Sequence, residues 1–207
     1  MDFFQPSSIE TVRQTVKGVE DIVALVNCMG GSYPPKKFAE YPLSYNHDMI
    51  NMAVITPVLM IEMVLPKMLE KGKGAIINYN SMAGRFKFPL FSTFSACKAF
   101  MATFSDILSV EYAGDGITVQ NVEPFLVTSY MTSLLPGALA VPPCISVFSS
   151  FREVGIEPST YGYWSHKLVA LLLHTLVFVF GSRLTSKMVG FILLTFFVGE
   201  PVSFFPL

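Results

Sequence analysis

The sequence is short of charged residues. Only 14% of its 207 residues are Asp, Glu, Lys or Arg, whereas 52% are hydrophobic, and a soluble domain usually carries about a quarter charged residues. This shortage predicts a large core, a membrane-facing surface, or both. The net charge of −1 gives no positive excess of the kind that attracts nucleic acid. The length fits one domain.

Paired cysteines, metal-binding motifs and a signal peptide are also missing from the sequence. Cys28, Cys97 and Cys144 are odd in number and far apart, and no CxxC or Cys/His spacing typical of zinc occurs. We interpret the three cysteines as reduced structural thiols, which predicts a reducing or cytosol-facing location. Residues 1–6 lack the basic segment and apolar stretch of a signal peptide.

Strands and helices alternate along most of the chain. Apolar runs predict buried parallel strands at 22–26, 75–80 and 117–122. Helical patterns cover three further segments, listed here as 6–17, 44–69 with a kink or break at Pro57, and 92–112. The alternation predicts an α/β fold, a parallel sheet with helices on both of its faces.

The last third of the chain has a different pattern. Residues 128–157 hold three prolines and predict an irregular region, followed by a short strand around 161–164. Two apolar stretches, 168–180 and 188–198, flank a polar connector, and each is shorter than the roughly 20 residues of a spanning helix. We predict an apolar helical tail over 167–207, either packed on the sheet or serving as a monotopic membrane anchor.

Three residues at fixed spacing narrow the range of chemistry. Ser81 follows a predicted strand, Phe94 comes thirteen residues later, and Lys98 lies four residues beyond Phe94 on one helix face. With Asn27-Cys28-Met29-Gly30 after an earlier strand, this pattern resembles the short-chain dehydrogenase/reductase family. The resemblance covers nearly the whole chain. It implies a partial Rossmann-like, doubly wound sheet made of the family's strands 4–7, with residues 1–166 as the C-terminal portion of the family's domain.

Other stretches place the resemblance within one branch of the family. Residues 64–68, 73–78 and 160–166 resemble the branch of 17β-hydroxysteroid dehydrogenases and very-long-chain 3-oxoacyl-CoA reductases. Residues 94–98 and 160–166 are most similar to the inactive hydroxysteroid dehydrogenase-like protein 1 group. That group also has phenylalanine where the family has its catalytic tyrosine.

The resemblance implies a damaged catalytic set. In the family a tyrosine at the position of Phe94 exchanges a proton with the substrate, Lys98 lowers the tyrosine pKa and holds the nicotinamide ribose, and Ser81 orients the carbonyl. The asparagine of the proton relay falls at Ala53. Phenylalanine cannot exchange a proton, and the loss of a positioned acid costs about two to four powers of ten in rate. We expect an inactive homologue. Tyr79 is a candidate replacement acid, although ordinary strand packing is its simpler interpretation.

The cofactor site implied by the resemblance is incomplete. NADP(H) is the implied cofactor, and its contacts would be Asp2, Asn27, Gly30, Lys98, Pro124 and Ser129. The family's Thr-Gly-x-x-x-Gly-Ile-Gly loop, which holds the pyrophosphate at a helix N-terminus, does not occur in the sequence. We therefore expect no tightly bound cofactor. The strand at 22–26 would then be an unguarded sheet edge, which suggests a truncated product or an edge that pairs with a partner.

Partners and location follow from the same resemblance. Helices 44–69 and 92–112 would form a homodimer interface, unless their Met and Phe side chains are simply core. The expected location is the endoplasmic reticulum membrane, with the mitochondrion as the alternative, and the apolar region 168–198 would be the membrane contact. Three functions remain open: a non-catalytic binding or scaffold protein, an NADP-dependent reductase of a steroid ketone or 3-oxoacyl-CoA, and a truncated, non-functional isoform.

Overall fold

The computed structural model describes residues 6–31, 35–129, 137 and 139–198. In chain order the strands are β1 (Ala24–Asn27), β2 (Gly74–Tyr79), β3 (Ile117–Val122), β4 (Leu126–Val127), β5 (Ala140–Val141) and β6 (Ser159–Thr160). The α-helices are α1 (Pro6–Gly18), α2 (Leu43–Ile50), α3 (Thr56–Lys71), α4 (Ala83–Phe86), α5 (Ser92–Glu111), α6 (Pro143–Phe151) and α7 (Trp164–Val198). A 3-10 turn, Phe38–Glu40, precedes α2, and a π-helical segment, Asn51–Ile55, joins α2 to α3.

The central sheet is parallel and has the strand order β1-β2-β3-β6. The predicted α/β fold and the continuous order of four strands are therefore confirmed. Several boundaries differ from the prediction. Strand β1 covers Ala24–Asn27 instead of 22–26, β2 covers Gly74–Tyr79 instead of 75–80, and the strand expected around 161–164 is the two-residue β6. Within the described part of the chain β1 pairs only with β2, so β1 forms an edge of the sheet.

The helical region before β2 contains no break at Pro57, and that prediction is wrong. The π-helical segment interrupts the α-helical pattern instead, and the Thr56 N–H and hydroxyl both donate to the Asn51 carbonyl. Pro57 consequently lies in the first turn of α3, where an N–H is not needed for helical hydrogen bonding.

One core cluster lies on the sheet face that carries Ile76 and Val119. Ile61, Val64 and Met68 project from α3 at helical spacing and pack on this face. Leu108 of α5 completes the cluster, so α3 and α5 cover the same side of the sheet.

Residues 128–157 are more regular than predicted. They contain α6 and also β5, which pairs in parallel with β4. Pro143 opens α6 at a position where proline is compatible with a helix. The helix was missed because it buries small hydroxyl residues, Ser146 and Ser150, and exposes its large apolar ones, so the usual amphipathic pattern is reversed.

The element α7 consists of two helices that meet at a kink at Gly181 (φ 76°, ψ 160°), so an interruption is present where the predicted connector begins. The rest of the predicted connector, residues 182–187, is helical. Ala170, Leu173 and Val189 of α7 pack into a second core cluster with Phe86 of α4. The proposed boundary at residue 167 therefore falls in the first turns of this helix.

Two helical runs in the described residues, Leu43–Lys71 and Trp164–Phe191, have the length and composition of membrane spans. A third of the first run's most apolar window is buried, against 17% for the second. Because α3 packs on the sheet, α7 is the better candidate for contact with a membrane.

Candidate active site

Lys98 brings the matched positions together. Its Nζ lies 5.7 Å from the centroid of the Phe94 ring and 3.5 Å from the carbonyl oxygen of Tyr79, the last residue of β2. Ser81 follows Tyr79 by two residues. The predicted grouping of strand end, Phe94 and Lys98 is therefore present.

The environment of Lys98 is unusual for a charged side chain. The residue is only 5% exposed, and none of the ion pairs in the described part of the chain includes it. Burial lowers the pKa of Lys98 to about 8, while the neighbouring thiols of Cys28 and Cys97 act in the opposite direction. The ammonium faces an aromatic ring where the family's enzymes would present a phenolic oxygen.

The two substituted positions lie in one apolar cluster. Ala53, on the π-helical segment, is 2% exposed and packs with Tyr45, Met49 and Cys97. Phe94 packs against this cluster and also against the cluster formed by α4 and α7. Hydrocarbon therefore occupies both places from which the family's proton donor and relay would act.

Ser81 is engaged in starting α4. Its Oγ accepts a hydrogen bond from the Ala83 N–H at 3.2 Å, and its carbonyl accepts one from the Gly84 N–H at 3.1 Å. At Gly84 the helix crosses the backbone of Lys98 so closely that a Cβ would lie 2.6 Å from the Lys98 carbonyl carbon. Glycine is required for this approach, which holds Ser81 beside α5.

Tyr79 shows no sign of acting as a replacement acid. Its hydroxyl is buried and forms no hydrogen bond of acceptable geometry among the described residues. Burial raises the pKa of Tyr79, and the nearby hydroxyls of Ser150 and Ser146 offset this in part. The hydroxyl thus belongs to the contact between β2 and α6, which favours the packing interpretation.

Of the expected cofactor residues, Gly30 lies near Lys98, whereas Asn27 is bound to the neighbouring strand. A Cβ placed on Gly30 would be 3.8 Å from Lys98 Nζ, so Gly30 borders the ammonium. Asn27 is buried and donates from Nδ2 to Asn78 Oδ1 at 2.9 Å, and Asn78 donates in turn to Ser105 Oγ at 2.9 Å. The amide of Asn27 is therefore committed to a contact between β1 and β2.

The remaining expected cofactor residues are more scattered. Pro124 is buried, and its carbonyl accepts a hydrogen bond from the Met82 N–H at 3.2 Å. Ser129 is exposed after β4, and Asp2 lies outside the described residues. Within the described residues, Lys98 and Gly30 are the expected cofactor residues that the structure brings together.

The sequence analysis did not predict an ionic network that connects the elements around Lys98. Arg85 Nε donates to both carboxylate oxygens of Glu123, at 3.0 and 2.9 Å, and its Nη2 donates to Asp106 at 2.7 Å. Burial raises the pKa of Glu123, whereas the Arg85 guanidinium opposes that shift. The available signal was a glutamate following an apolar strand, but its partner Arg85 lies 38 residues away in sequence, and Asp106, the second partner of Arg85, lies 21 residues from Arg85. The network joins α4, β3 and α5, which are the elements that position Ser81 and Lys98.

The family model for short chain dehydrogenases matches residues 1–137. The chain belongs to this family. The predicted family and fold are thereby confirmed, and the match includes every position of the substituted catalytic set.

Curated relatives place the chain near the predicted branch. It is 36% identical over 178 residues to the inactive hydroxysteroid dehydrogenase-like protein 1 of Rattus norvegicus, covering 81% of this chain and 53% of the relative. It is 34% identical over 180 residues to the very-long-chain 3-oxoacyl-CoA reductase of Homo sapiens, covering 85% and 57%. The chain thus spans about half the length of the curated relatives it matches.

Solved structures support the fold. A 7beta-hydroxysteroid dehydrogenase structure matches with a TM-score of 0.78 at 22% identity, covering 91% of this chain and 74% of the other. A serine dehydrogenase in complex with NADP+ matches with a TM-score of 0.56 at 28% identity, covering 62% and 52%.

Proposed function

We propose that this chain is a hydroxysteroid dehydrogenase-like homologue that does not catalyse its family's redox reaction and acts as a binding or scaffold protein at a membrane. One observation carries the proposal: Phe94 and Ala53 share an apolar cluster, and the Lys98 ammonium faces the Phe94 ring. The site keeps the family's framework but has no proton donor at the family's position.

The chemistry of the site does not support the family's redox reaction. NADP(H), when bound to a family member, supplies the hydride. In this chain Lys98 and Gly30 would hold its ribose, and Ser81 would retain a hydroxyl near the former carbonyl position. A reduced carbonyl oxygen also needs a proton, and a proton donor must lie within hydrogen-bond reach. Phe94 has no such proton to give.

A cofactor titration tests the first half of the proposal. NADPH is added to the full chain while nicotinamide fluorescence is recorded, with Lys98→Met as the matched control. We expect no saturation below about 1 mM and no difference between the two proteins. Saturable enhancement that Lys98→Met abolishes would favour the alternative of an active reductase. In that case Phe94→Tyr with Ala53→Asn becomes the informative variant, because a restored acid and relay would act on bound cofactor.

Membrane association is the second half of the proposal. Leu168, Leu171, Leu172 and Phe178 lie on the α7 surface opposite its buried residues and are 56%, 63%, 58% and 91% exposed. An apolar helix face of this kind is typical of a monotopic anchor. By resemblance we propose the endoplasmic reticulum, with the mitochondrion as the alternative. Carbonate extraction of the expressed chain tests the anchor: retention in the membrane pellet is expected, and full release contradicts it.

A homodimer through α2–α3 and α5 remains a proposal. A groove of about 430 Å³ lies between these helices, and Ile50 and Phe100, which line it, are 43% and 46% exposed. Ile107, on the same helix as Phe100, is 50% exposed. Replacing Phe100 and Ile107 with glutamate is expected to abolish a cross-linked dimer in detergent. A dimer that survives both changes would place the interface elsewhere.

A further inference from the structure

Helix α6 has its apolar side facing outward. Ser146 and Ser150 are 2% and 1% exposed. The large side chains point away from the protein and are exposed as follows: Ile145 40%, Val147 43%, Phe148 67% and Phe151 49%. Surface helices normally show the reverse arrangement, with hydrocarbon inside and polar groups outside.

Close packing fixes this orientation. A Cβ placed on Gly162 would lie 2.6 Å from Ser150 Oγ, so only a small residue fits between α6 and the chain leading into α7. Ser150 Oγ donates to the Ser146 carbonyl at 2.8 Å, which satisfies its hydroxyl within the helix. Rotating the helix to bury Phe148 would drive its ring into this contact. The exposed apolar face is therefore a fixed property of the fold.

The C-terminal end of α6 lies close to the first turn of α7. Lys167 in the first turn of α7 pairs with Glu153, just beyond the end of α6. Trp164, at the start of α7, is 59% exposed. Tryptophan is enriched where a protein meets the membrane interface, because its ring is amphipathic. The ion pair thus joins two helices that each expose apolar side chains.

Basic residues outnumber acidic ones around this surface. Residues 139–198 contain Arg152, Lys167, Arg183 and Lys187 against Glu153 and Glu157, and Lys167 is paired with Glu153. At the C-terminal end of α6 the Arg152 guanidinium lies 5.9 Å from the centroid of the Phe148 ring. Basic side chains beside apolar ones can extend to lipid phosphates while their hydrocarbon stems remain in the apolar layer. This arrangement complements an anionic lipid surface.

We propose that the outer face of α6 docks on an anionic phospholipid surface alongside α7. The inference rests on the membrane association proposed above and adds a second, separate contact to it. Membrane attachment would then use the folded domain as well as its C-terminal helix.

Site-directed labelling tests the inference. Cys144 is exposed on α6 and Cys97 is buried, so Cys28→Ser directs an environment-sensitive fluorophore to Cys144. The full chain is reconstituted into phosphatidylcholine–phosphatidylserine vesicles that contain nitroxide-labelled lipid, and quenching is measured. Leu172→Cys reports the α7 face in a background lacking Cys28 and Cys144.

Val110→Cys is the matched aqueous control in the same background. Val110 is 77% exposed on α5. Asn78 contacts α5 and the next residue, Tyr79, contacts α6, and successive strand residues face opposite sides of a sheet. The control therefore lies on the opposite face of the sheet from α6.

We expect lipid quenching at positions 144 and 172 and none at 110. Replacing Phe148 and Phe151 with serine should reduce the quenching at 144 by roughly tenfold, since two aromatic rings leave the apolar layer, and should leave position 172 unchanged.

Quenching at 172 alone would overturn the docking of α6 while preserving the anchor. No quenching at either position would contradict both proposals. The fluorophore at position 144 could instead be shielded from water without being quenched by the labelled lipid, in a chain that forms a discrete, detergent-stable oligomer. That result would assign the outer face of α6 to a protein partner and overturn the inference.

Discussion

At the scale of single residues, the main feature of the site is the contact between the buried Lys98 ammonium and the Phe94 ring. The spacing of Ser81, Phe94 and Lys98 predicted their grouping, because helix and strand geometry fix where such residues meet. Ala53 was assigned to the family's asparagine position by residue spacing alone. The structure adds that Ala53 shares an apolar cluster with Phe94. The Arg85–Glu123 pair could not be predicted, because ion pairs distant in sequence leave no periodic signal.

The first prediction concerns the pH dependence of stability. The pKa of Lys98 is about 8 in the folded chain and near 10.5 when unfolded, so the folded state binds fewer protons between these values. Stability should therefore rise with pH across this window. Relative to Lys98→Met, the gain should approach about 3 kcal/mol. Urea unfolding in mild detergent across the interval between the two pKa values, from about pH 8 to pH 10.5, measures it. Parallel profiles for the two proteins would contradict it.

Gly84 provides a second test at this scale. A Cβ there would meet the Lys98 and Ala99 backbone at 2.6–2.8 Å, so Gly84→Ala should cost about 1–3 kcal/mol through overpacking. Gly114→Ala is the matched control, because a Cβ at Gly114 meets no atom within 4 Å. The free energies of unfolding of both variants check this. Equal stability would mean that α4 moves away from α5 at little cost.

At the scale of elements, helices and strands whose apolar side chains are buried were predicted more accurately than those whose apolar side chains are exposed. The helix over α5 and the strand β3 were predicted closely, because both carry buried apolar residues such as Leu108 and Val119, although α5 also exposes large apolar side chains. Helix α6 was missed because its apolar residues face outward and its buried positions are serines. The continuation of α7 past Gly181 was missed because Ser, Arg, Thr and Lys residues are typical of a connector, although packing on α4 sustains a helix there.

Helix α1 depends on one side chain of α3. Lys67 Nζ donates to the carbonyls of Val16, Lys17 and Val19 at 2.8, 3.1 and 2.8 Å. These contacts satisfy the open C-terminal end of α1. Lys67→Met should therefore destabilise α1 by about 1–2 kcal/mol, seen as faster amide exchange across that helix.

Lys71→Met is the control for this effect, because Lys71 makes an exposed pair with Asp21 and contacts no carbonyl of α1. Unchanged exchange in α1 after Lys67→Met would show that packing alone holds the helix.

At the scale of the whole molecule, the open edge of the sheet is the main liability. Val23 and Val26 are 56% and 46% exposed at or beside β1, and an apolar edge without charges tends to pair with other strands. Val23→Lys with Val26→Lys should reduce self-association in mild detergent, measured by light scattering after size exclusion. A monodisperse wild-type chain whose β1 amides resist exchange would contradict this expectation.

The central claim, that this family member does not carry out hydride transfer, is tested most directly under single-turnover conditions. NADPH deuterated at the transferring position is incubated with excess full chain and either a steroid ketone or a 3-oxoacyl-CoA, and the products are examined by mass spectrometry. The substitution of Phe94 and Ala53 predicts that no deuterated alcohol forms. Deuterated alcohol that appears with the wild-type chain and disappears with Lys98→Met would contradict the claim.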